Sequence, residues 1–184
     1  MNPIKLRRIL VSIHLYAAAL LAPAFLLVAI TGGLYLADVK GGMVETPVTV
    51  PAGTTFDPES PTFEADVRTF LVAQNLPADF DYIRARGDSF TTRPTSQTHV
   101  TFEQKDGVLT AKKVSPTPLA ALLEIHKGHG PQLYRIYGVL VGLMLFIVVF
   151  GGLAVGFLSP AYRKATVLST IAGSAVFGWV AFLA

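Results

Sequence analysis

The chain has 184 residues, of which 52% are apolar, with a formal net charge of +3 and no cysteine. Its mean hydropathy of +0.52 is too high for an ordinary soluble domain. The absence of cysteine excludes thiolate metal sites, iron–sulfur clusters, disulfides and cysteine nucleophiles, and the modest charge gives no indication of a nucleic-acid partner.

Three uncharged stretches dominate the sequence, at residues 9–37, 136–162 and 165–184. A helix needs about 20 apolar residues to cross roughly 30 Å of hydrocarbon, so each stretch is long enough. The first has 29 residues, whereas the apolar part of a signal peptide has about 7–15, and no clear cleavage site follows it. The pattern predicts an α-helical membrane protein with three transmembrane helices, the first of them an uncleaved anchor.

Charge predicts the orientation of these helices. Basic residues without acidic neighbours stand before the first stretch and between the second and third: Lys5, Arg7, Arg8, Arg163 and Lys164. All 12 Asp and Glu lie within residues 38–124. By the positive-inside rule the N-terminus and the loop at 159–164 face the cytoplasm, and residues 38–133 lie outside. In a Gram-negative bacterium the chain is then a multi-pass protein of the inner membrane, surrounded by the lipid bilayer, with its large loop in the periplasm.

The outer segment carries the pattern of a small α+β domain between the first and second spans. Residues 43–61 indicate an extended piece or linker, and Ser60-Pro61 followed by an apolar face predicts a helix over about 61–74. Asp106-Gly107 predicts a type I′ hairpin, because both central residues of that turn need positive φ. Strand-like segments lie at 80–86, 90–93, 99–104 and 108–114. The predicted domains are 1–42, 43–133, 134–162 and 163–184.

Two histidines precede the second span, in the sequence His126-Lys127-Gly128-His129-Gly130. Residues 119–125 predict a helical turn or two that brings His126 to the membrane surface. His126 and His129 are candidates to bind a haem edge, a metal ion or a ferric substrate. The alternative is a polar interfacial loop, which the two glycines favour. His99 lies on a predicted strand and is expected at the surface.

His14 lies inside the first span, six residues past Arg8, which is about 9 Å of helix rise and places it in the cytoplasmic leaflet. An ionisable residue within a membrane is a functional hypothesis. It can pair with a copy of itself in a homodimer, pair with a histidine of another subunit, serve a quinone site or simply donate a hydrogen bond. His14 and His126 cannot hold one haem together within a chain, because about 33 Å of helix rise separates the two membrane faces.

Two segments resemble the PepSY-associated transmembrane family. LVSIHLYAAALLAPAFLLVAITGGLYL is similar to its first helix, with a histidine near the start and Thr-Gly near the end. LLEIHKGHG is similar to the Leu-His-x-Gly that precedes a later helix. The middle, with its helix, strands and Asp-Gly turn, resembles a PepSY module, so the resemblance covers most of residues 9–158.

The resemblance implies a membrane protein of bacterial iron and respiratory metabolism. Several members of the family are b-type haem reductases that pass electrons across the inner membrane to ferric siderophores in the periplasm. The matching histidines, His14 and His126, would be axial ligands, with one haem near each membrane face. The chain departs from the pattern in having three helices rather than four, and in having Tyr134 where a further motif histidine would open the second span.

The principal expectation is therefore a haem b electron-transfer protein or a subunit of one. It names His14, His126 and His129 as cofactor-binding residues, with His14 and His126 as metal ligands. Quinol or a partner would supply electrons on the His14 side. A ferric siderophore would receive them near His126 and His129.

The alternative is a non-catalytic subunit whose three helices dock on a larger membrane complex, supported by the shortfall in histidine ligands and by the small residues of the second and third spans. Gly138-x-x-x-Gly142 and Gly152-x-x-x-Gly156 in the second span allow another helix to approach closely. The first two spans also share Gly-Gly-Leu near the far end, at residues 32–34 and 151–153. This repetition is a sign of a duplicated unit, although short apolar matches also arise by chance.

Overall fold

The computed structural model describes residues 3–182, with side chains from residue 5 onward. The chain divides into two compact units, one formed by residues up to 24 and from 139 onward, the other by residues 25–138. The elements follow in the order α1 (Pro3–Leu36), β1 (Met43–Val48), α2 (Phe63–Ala73), β2 (Tyr82–Arg86), β3 (Ser89–Arg93), β4 (His99–Lys105), β5 (Val108–Pro116), α3 (Pro118–His126), α4 (Gln132–Leu158) and α5 (Arg163–Phe182).

The five strands form one antiparallel sheet in the order β1-β5-β4-β3-β2. Asp106-Gly107 joins β4 to β5 with φ values of 52° and 78°, and the strands pair directly beside it at Lys105↔Val108. The predicted hairpin is therefore confirmed. The segment predicted as an extended piece or linker contains β1, which pairs with β5 from Met43↔Pro116 onward and forms an edge of the sheet.

One face of the sheet packs against α2. The apolar residues of α2 recur at helical spacing, and Phe63, Val67 and Leu71 are all buried. Phe102 of β4 is fully buried, and its ring stacks on Phe90 of β3 with centroids 4.7 Å apart. The predicted helix is confirmed, although it begins at Phe63 with Thr62 as N-cap.

Phe56, in the segment between β1 and α2, completes this core. Its ring makes edge-to-face contacts at 5.7–6.4 Å with four aromatic rings: Phe63, Phe70, Phe90 and Phe102. Its backbone N–H donates to Gln104 Oε1 at 2.7 Å, and its carbonyl accepts from Gln104 Nε2 at 2.9 Å. Buried backbone polar groups need such partners, so the Gln104 amide fixes this segment over the sheet.

The start of α3 is bonded to the chain that leaves α1. Gly42 O accepts from the Thr117 N–H at 2.9 Å, and the Gly42 N–H donates to Thr117 Oγ1 at 3.0 Å. Gly41 has a φ of 70°, and a Cβ there would lie 2.7 Å from the Ala120 nitrogen. Only glycine fits this close approach. The predicted short helix is confirmed, and it ends at His126.

Within the described residues, three helices are long and apolar enough to cross a membrane: Lys5–Leu36 of α1, α4 and α5. The predicted combination of three such helices with a small α+β domain is therefore confirmed. α4 and α5 approach closely at the turn that joins them, where a Cβ on Gly156 would lie 2.5 Å from Thr166 Oγ1. Arg163 Nε donates to Phe157 O at 2.8 Å across the turn.

Candidate histidine sites

His126 is the last residue of α3, and its ring is held by Thr31 of α1. Nδ1 lies 2.6 Å from Thr31 Oγ1, and Thr31 is only 1% exposed. Thr31 Oγ1 donates to Leu27 O at 2.5 Å, one helical turn earlier. A hydroxyl has one proton, so Thr31 accepts from the Nδ1–H of His126. In the neutral ring, Nε2 is then the acceptor.

The His126 ring also lies against the next residue of α1. A Cβ on Gly32 would be 3.4 Å from His126 Cε1, so the imidazole lies close to this position of α1. A cavity of about 560 Å³ adjoins this contact, within the size range of small-molecule sites. Its walls combine apolar groups with one imidazole and one ammonium: Gly32, Tyr35, Leu36, Leu123, His126 and Lys127.

Two lysines flank the Tyr35 ring at this cavity. Lys127 Nζ lies 5.4 Å from the ring centroid and Lys40 Nζ lies 5.1 Å from it, both within the range of cation–π attraction. Lys127 Nζ also donates to Glu124 Oε1 at 3.0 Å. The ammonium in the cavity wall is therefore held from two sides.

Glu124 is a buried carboxylate with three donors. Oε2 accepts from Thr95 Oγ1 at 2.6 Å and from His129 Nδ1 at 2.7 Å, while Oε1 accepts from Lys127. Burial raises the pKa of Glu124, but the hydrogen bonds from Thr95, His129 and Lys127 outweigh it and lower that pKa to about 2. Glu124 thereby fixes the turn that carries the two histidines.

His129 is thus engaged by Glu124 rather than by His126. Besides the side-chain bond, its backbone N–H donates to Glu124 O at 2.9 Å. Its Nδ1 is occupied, and Nε2 is the ring nitrogen left to other groups. Across residues 5–182, no three histidine and carboxylate side chains are arranged to hold a metal ion. A ligand in the cavity would therefore contact one imidazole of this unit, that of His126.

The expectation that His99 lies at the surface is wrong. His99 is only 6% exposed, and Nδ1 lies 2.8 Å from Gln97 O. Burial is the main cause that lowers the pKa of His99. Its partner across the sheet, Val114, is also buried, and α3 packs on β5. The second face of the sheet is therefore partly covered, which strand alternation alone does not reveal.

His14 lies in the other unit and is half-buried. Nδ1 is 3.0 Å from Val148 O of α4. A carbonyl oxygen only accepts, so Nδ1 carries the proton and, in the neutral ring, Nε2 is the acceptor. A Cβ on Gly152 would lie 3.1 Å from His14 Cε1. Among the described residues, no hydrogen bond reaches Nε2.

The two motif histidines therefore share one local arrangement. Each donates Nδ1–H to a group on an apolar helix, and each ring lies against a glycine of a Gly-Gly-Leu segment: Gly152 for His14 and Gly32 for His126. Sequence reasoning noted both Gly-Gly-Leu segments but assigned neither a histidine. It missed Thr31 and Glu124 as partners, because nothing local links them to a ring.

No protein-family model matches the chain, and neither a curated protein nor a solved structure matches it. The similarity to PepSY-associated proteins consequently rests on the sequence motifs.

Proposed function

We propose that this chain is a b-type haem electron-transfer protein of the bacterial inner membrane, or a subunit of one, related to the PepSY-associated transmembrane family. The observation that carries the proposal is the common state of His14 and His126. In both, Nδ1 donates to a helix group and Nε2 is the nitrogen left for a ligand. His14 then serves the cytoplasmic side and His126 the periplasmic side of the bilayer.

The hydrogen bonds of the two histidines support the haem proposal. A metal-ligating histidine usually donates its other ring N–H to a carbonyl, carboxylate or water, which fixes the ring and raises its basicity. Val148 O supplies this partner to His14, and the Thr31 hydroxyl supplies it to His126. A haem held by Nε2 would supply a one-electron couple tuned by its axial ligands.

The cavity beside His126 suits a large apolar group with acidic substituents. Leu36 and Leu123 give it apolar walls, and Tyr35 gives it an aromatic surface. Lys127 places an ammonium in the cavity wall, where it can form a charge-assisted hydrogen bond with a carboxylate of the bound group. In this proposal Lys127 orients the group and His126 binds it.

The proposed direction of transfer follows the predicted topology. Quinol or a partner subunit supplies electrons near His14, and a periplasmic ferric siderophore receives them near His126 and His129. His129 is proposed as a contact residue, since Nδ1 is held by Glu124 and no hydrogen bond within the described part of the chain reaches Nε2. A second haem ligand would come from another copy of the chain or another subunit.

The alternative is an accessory subunit of a larger membrane complex, and α5 is the observation that favours it. No residue of α5 is buried within the described chain. A Cβ on Gly173 or Gly178 would have no atom within 4 Å in the described chain, so both leave room for a neighbouring helix. In this reading α5 is a docking helix for a partner.

An absorption spectrum separates the two functions. The full chain, purified in detergent and supplied with hemin, is expected to show a b-type Soret band. His14→Ala and His126→Ala should each weaken the band, and the double variant should abolish it. Tyr16→Ala is the control, because Tyr16 lies two residues from His14 with its side chain 77% exposed. A chain that stays colourless and co-purifies with fixed partners contradicts the haem proposal and supports the accessory role.

A further inference from the structure

Thr31 is a buried hydroxyl within a membrane-length helix, and it makes two short polar contacts. Oγ1 lies 2.5 Å from Leu27 O and 2.6 Å from His126 Nδ1. The first contact is local to the helix, whereas the second joins residues 95 positions apart. The helix needs only the first contact to satisfy the hydroxyl. The second contact is therefore one that the helix does not need, and it acts on the His126 ring.

Only one placement of the protons satisfies both contacts. If Thr31 donates to Leu27 O, its lone pair accepts Nδ1–H from His126, and each contact holds one proton. If Thr31 instead donates to Nδ1, two oxygens face each other at 2.5 Å with no proton between them. Such an arrangement loses a hydrogen bond and sets two lone pairs against each other. The first placement is therefore favoured.

We propose that Thr31 is the positioning residue of the His126 site, and that its hydroxyl fixes the ring in the Nδ1–H tautomer with Nε2 as lone-pair donor. The site then takes a ligand that accepts this lone pair, either a metal centre or a group with an O–H or N–H. A ligand that offers only acceptor atoms to His126 is disfavoured. The identity of the ligand as haem rests on the proposed function, whereas the tautomer does not.

Gly32 supports the same assignment from the adjacent position. The ring passes within contact distance of Gly32, where a Cβ would be 3.4 Å from Cε1. Thr31 thus holds one nitrogen, and the neighbouring carbon lies close to Gly32. Consecutive residues of α1 therefore adjoin the imidazole on the side of Nδ1 and Cε1.

The tautomer is measured directly by nitrogen-15 NMR. The full chain is labelled at histidine, purified in detergent and studied at about pH 8, above the ordinary pKa of histidine. His126→Gln assigns the signals. We expect His126 as the Nδ1–H form in the native chain, a shift towards the Nε2–H form in Thr31→Val, and return of the native form in Thr31→Ser. Thr31→Ala serves as a second variant without the hydroxyl.

Thr69→Val is the matched control. Thr69 Oγ1 also donates to a carbonyl one turn earlier, Ala65 O at 2.9 Å, but it is exposed and bonds to no histidine. This variant should leave the His126 signals unchanged. If His126 keeps the Nδ1–H form in both Thr31→Val and Thr31→Ala, the proposal is overturned.

A hemin titration separates this inference from the proposed function. Loss of a second-shell partner typically lowers metal affinity about 10- to 100-fold, so Thr31→Val should weaken hemin binding by that factor and Thr31→Ser should restore it. If the native chain binds no hemin while the tautomer still depends on Thr31, the haem function fails and the role of Thr31 stands. If hemin binds equally to Thr31→Val with an unchanged tautomer, the role of Thr31 fails and the haem function stands.

Discussion

The two units of the chain are stabilised by different kinds of contact. Residues 25–138 contain a core in which Phe102, Val67 and Val100 are completely buried. In the unit built from α4, α5 and the first part of α1, most large apolar side chains are exposed, such as Leu20 at 78% and Phe182 at 81%. Residues 25–138, the first unit, therefore have the burial pattern of a globular domain. The helical unit, the second, does not.

Several close contacts of the second unit involve glycine, hydroxyl and carbonyl groups, and among the described residues its buried apolar side chains are few and small or aliphatic: Leu21, Ala24, Val141 and Val148. Gly152 lies against His14, Gly156 lies against Thr166, and Ser159 is 1% exposed. Association of helices in an apolar medium relies on such small residues, because burial of apolar surface gives little there. Substitutions that remove side-chain atoms should therefore destabilise the first unit most. Substitutions that add side-chain atoms should destabilise the second.

Phe102→Ala is expected to have the largest effect on this comparison. It removes a fully buried ring that stacks on Phe90 and leaves a cavity, at a cost of about 3–5 kcal/mol in the free energy of unfolding. Urea-dependent pulse proteolysis of the full chain in detergent measures the loss in residues 25–138. Val72→Ala is the control, since Val72 is 65% exposed and should change stability by no more than about 0.5 kcal/mol. Equal effects of the two variants would contradict the assigned core.

Acid should destabilise residues 25–138 more than the other unit, with an effect of intermediate size. The pKa of Glu124 in the folded chain is lowered to about 2 from an ordinary 4.5. Its contribution is therefore present above about pH 4.5 and is lost as the pH falls towards 2. The expected loss between about pH 7 and pH 3 is on the order of 2 kcal/mol. Trp179, the only tryptophan, lies in the other unit and reports on that unit separately.

Glu124→Gln tests this assignment. The variant should be less stable at neutral pH, because the bonds from His129 and Lys127 to the carboxylate lose their charge. Its stability should also depend less on pH between 7 and 3 than that of the native chain. Glu59→Gln, at an exposed position, should keep the native pH dependence. A native pH dependence in Glu124→Gln would show that other carboxylates cause the acid sensitivity.

Much of the fold could be predicted because its signals are local. The three apolar stretches, the Asp106-Gly107 turn and the helix of residues 118–126 each depend on neighbours within a few positions. β1 was harder to predict, since its pairing with β5 joins Met43 to Pro116 and Pro47 interrupts its pattern. A strand at a sheet edge is defined by its distant partner rather than by its own sequence.

The candidate sites were only half predictable for the same reason. His14 and His126 stand out as histidines beside apolar runs, so their selection needs no structure. Their partners are far away in the chain: Val148 is 134 residues from His14, and Thr31 is 95 residues from His126. The hydrogen bonding of buried Glu124 likewise depends on Thr95, which lies in the loop between β3 and β4. Periodicity within one segment gives no information on such pairs.

Gly156→Ala is expected to have the smallest of these effects and to affect the second unit alone. The added methyl would lie 2.5 Å from Thr166 Oγ1 and 3.2 Å from Thr166 Cβ, so rotation of the threonine does not relieve the clash and α5 has to shift. Overpacking costs about 1–3 kcal/mol, with a single methyl at the lower end, and the helix preference for alanine offsets about 0.5–1 kcal/mol of that cost. Gly156→Ala should therefore unfold at a lower temperature than Gly173→Ala. Thermal unfolding in detergent, followed by Trp179 fluorescence, measures the change in stability.

Gly173→Ala adds the same methyl on α5 with no atom within 4 Å, and it should be neutral or slightly stabilising because alanine favours the helix. If Gly156→Ala unfolds at the same temperature as Gly173→Ala, the close contact of Gly156 with Thr166 is absent in solution. In that case, contact through small residues would not distinguish this unit from residues 25–138.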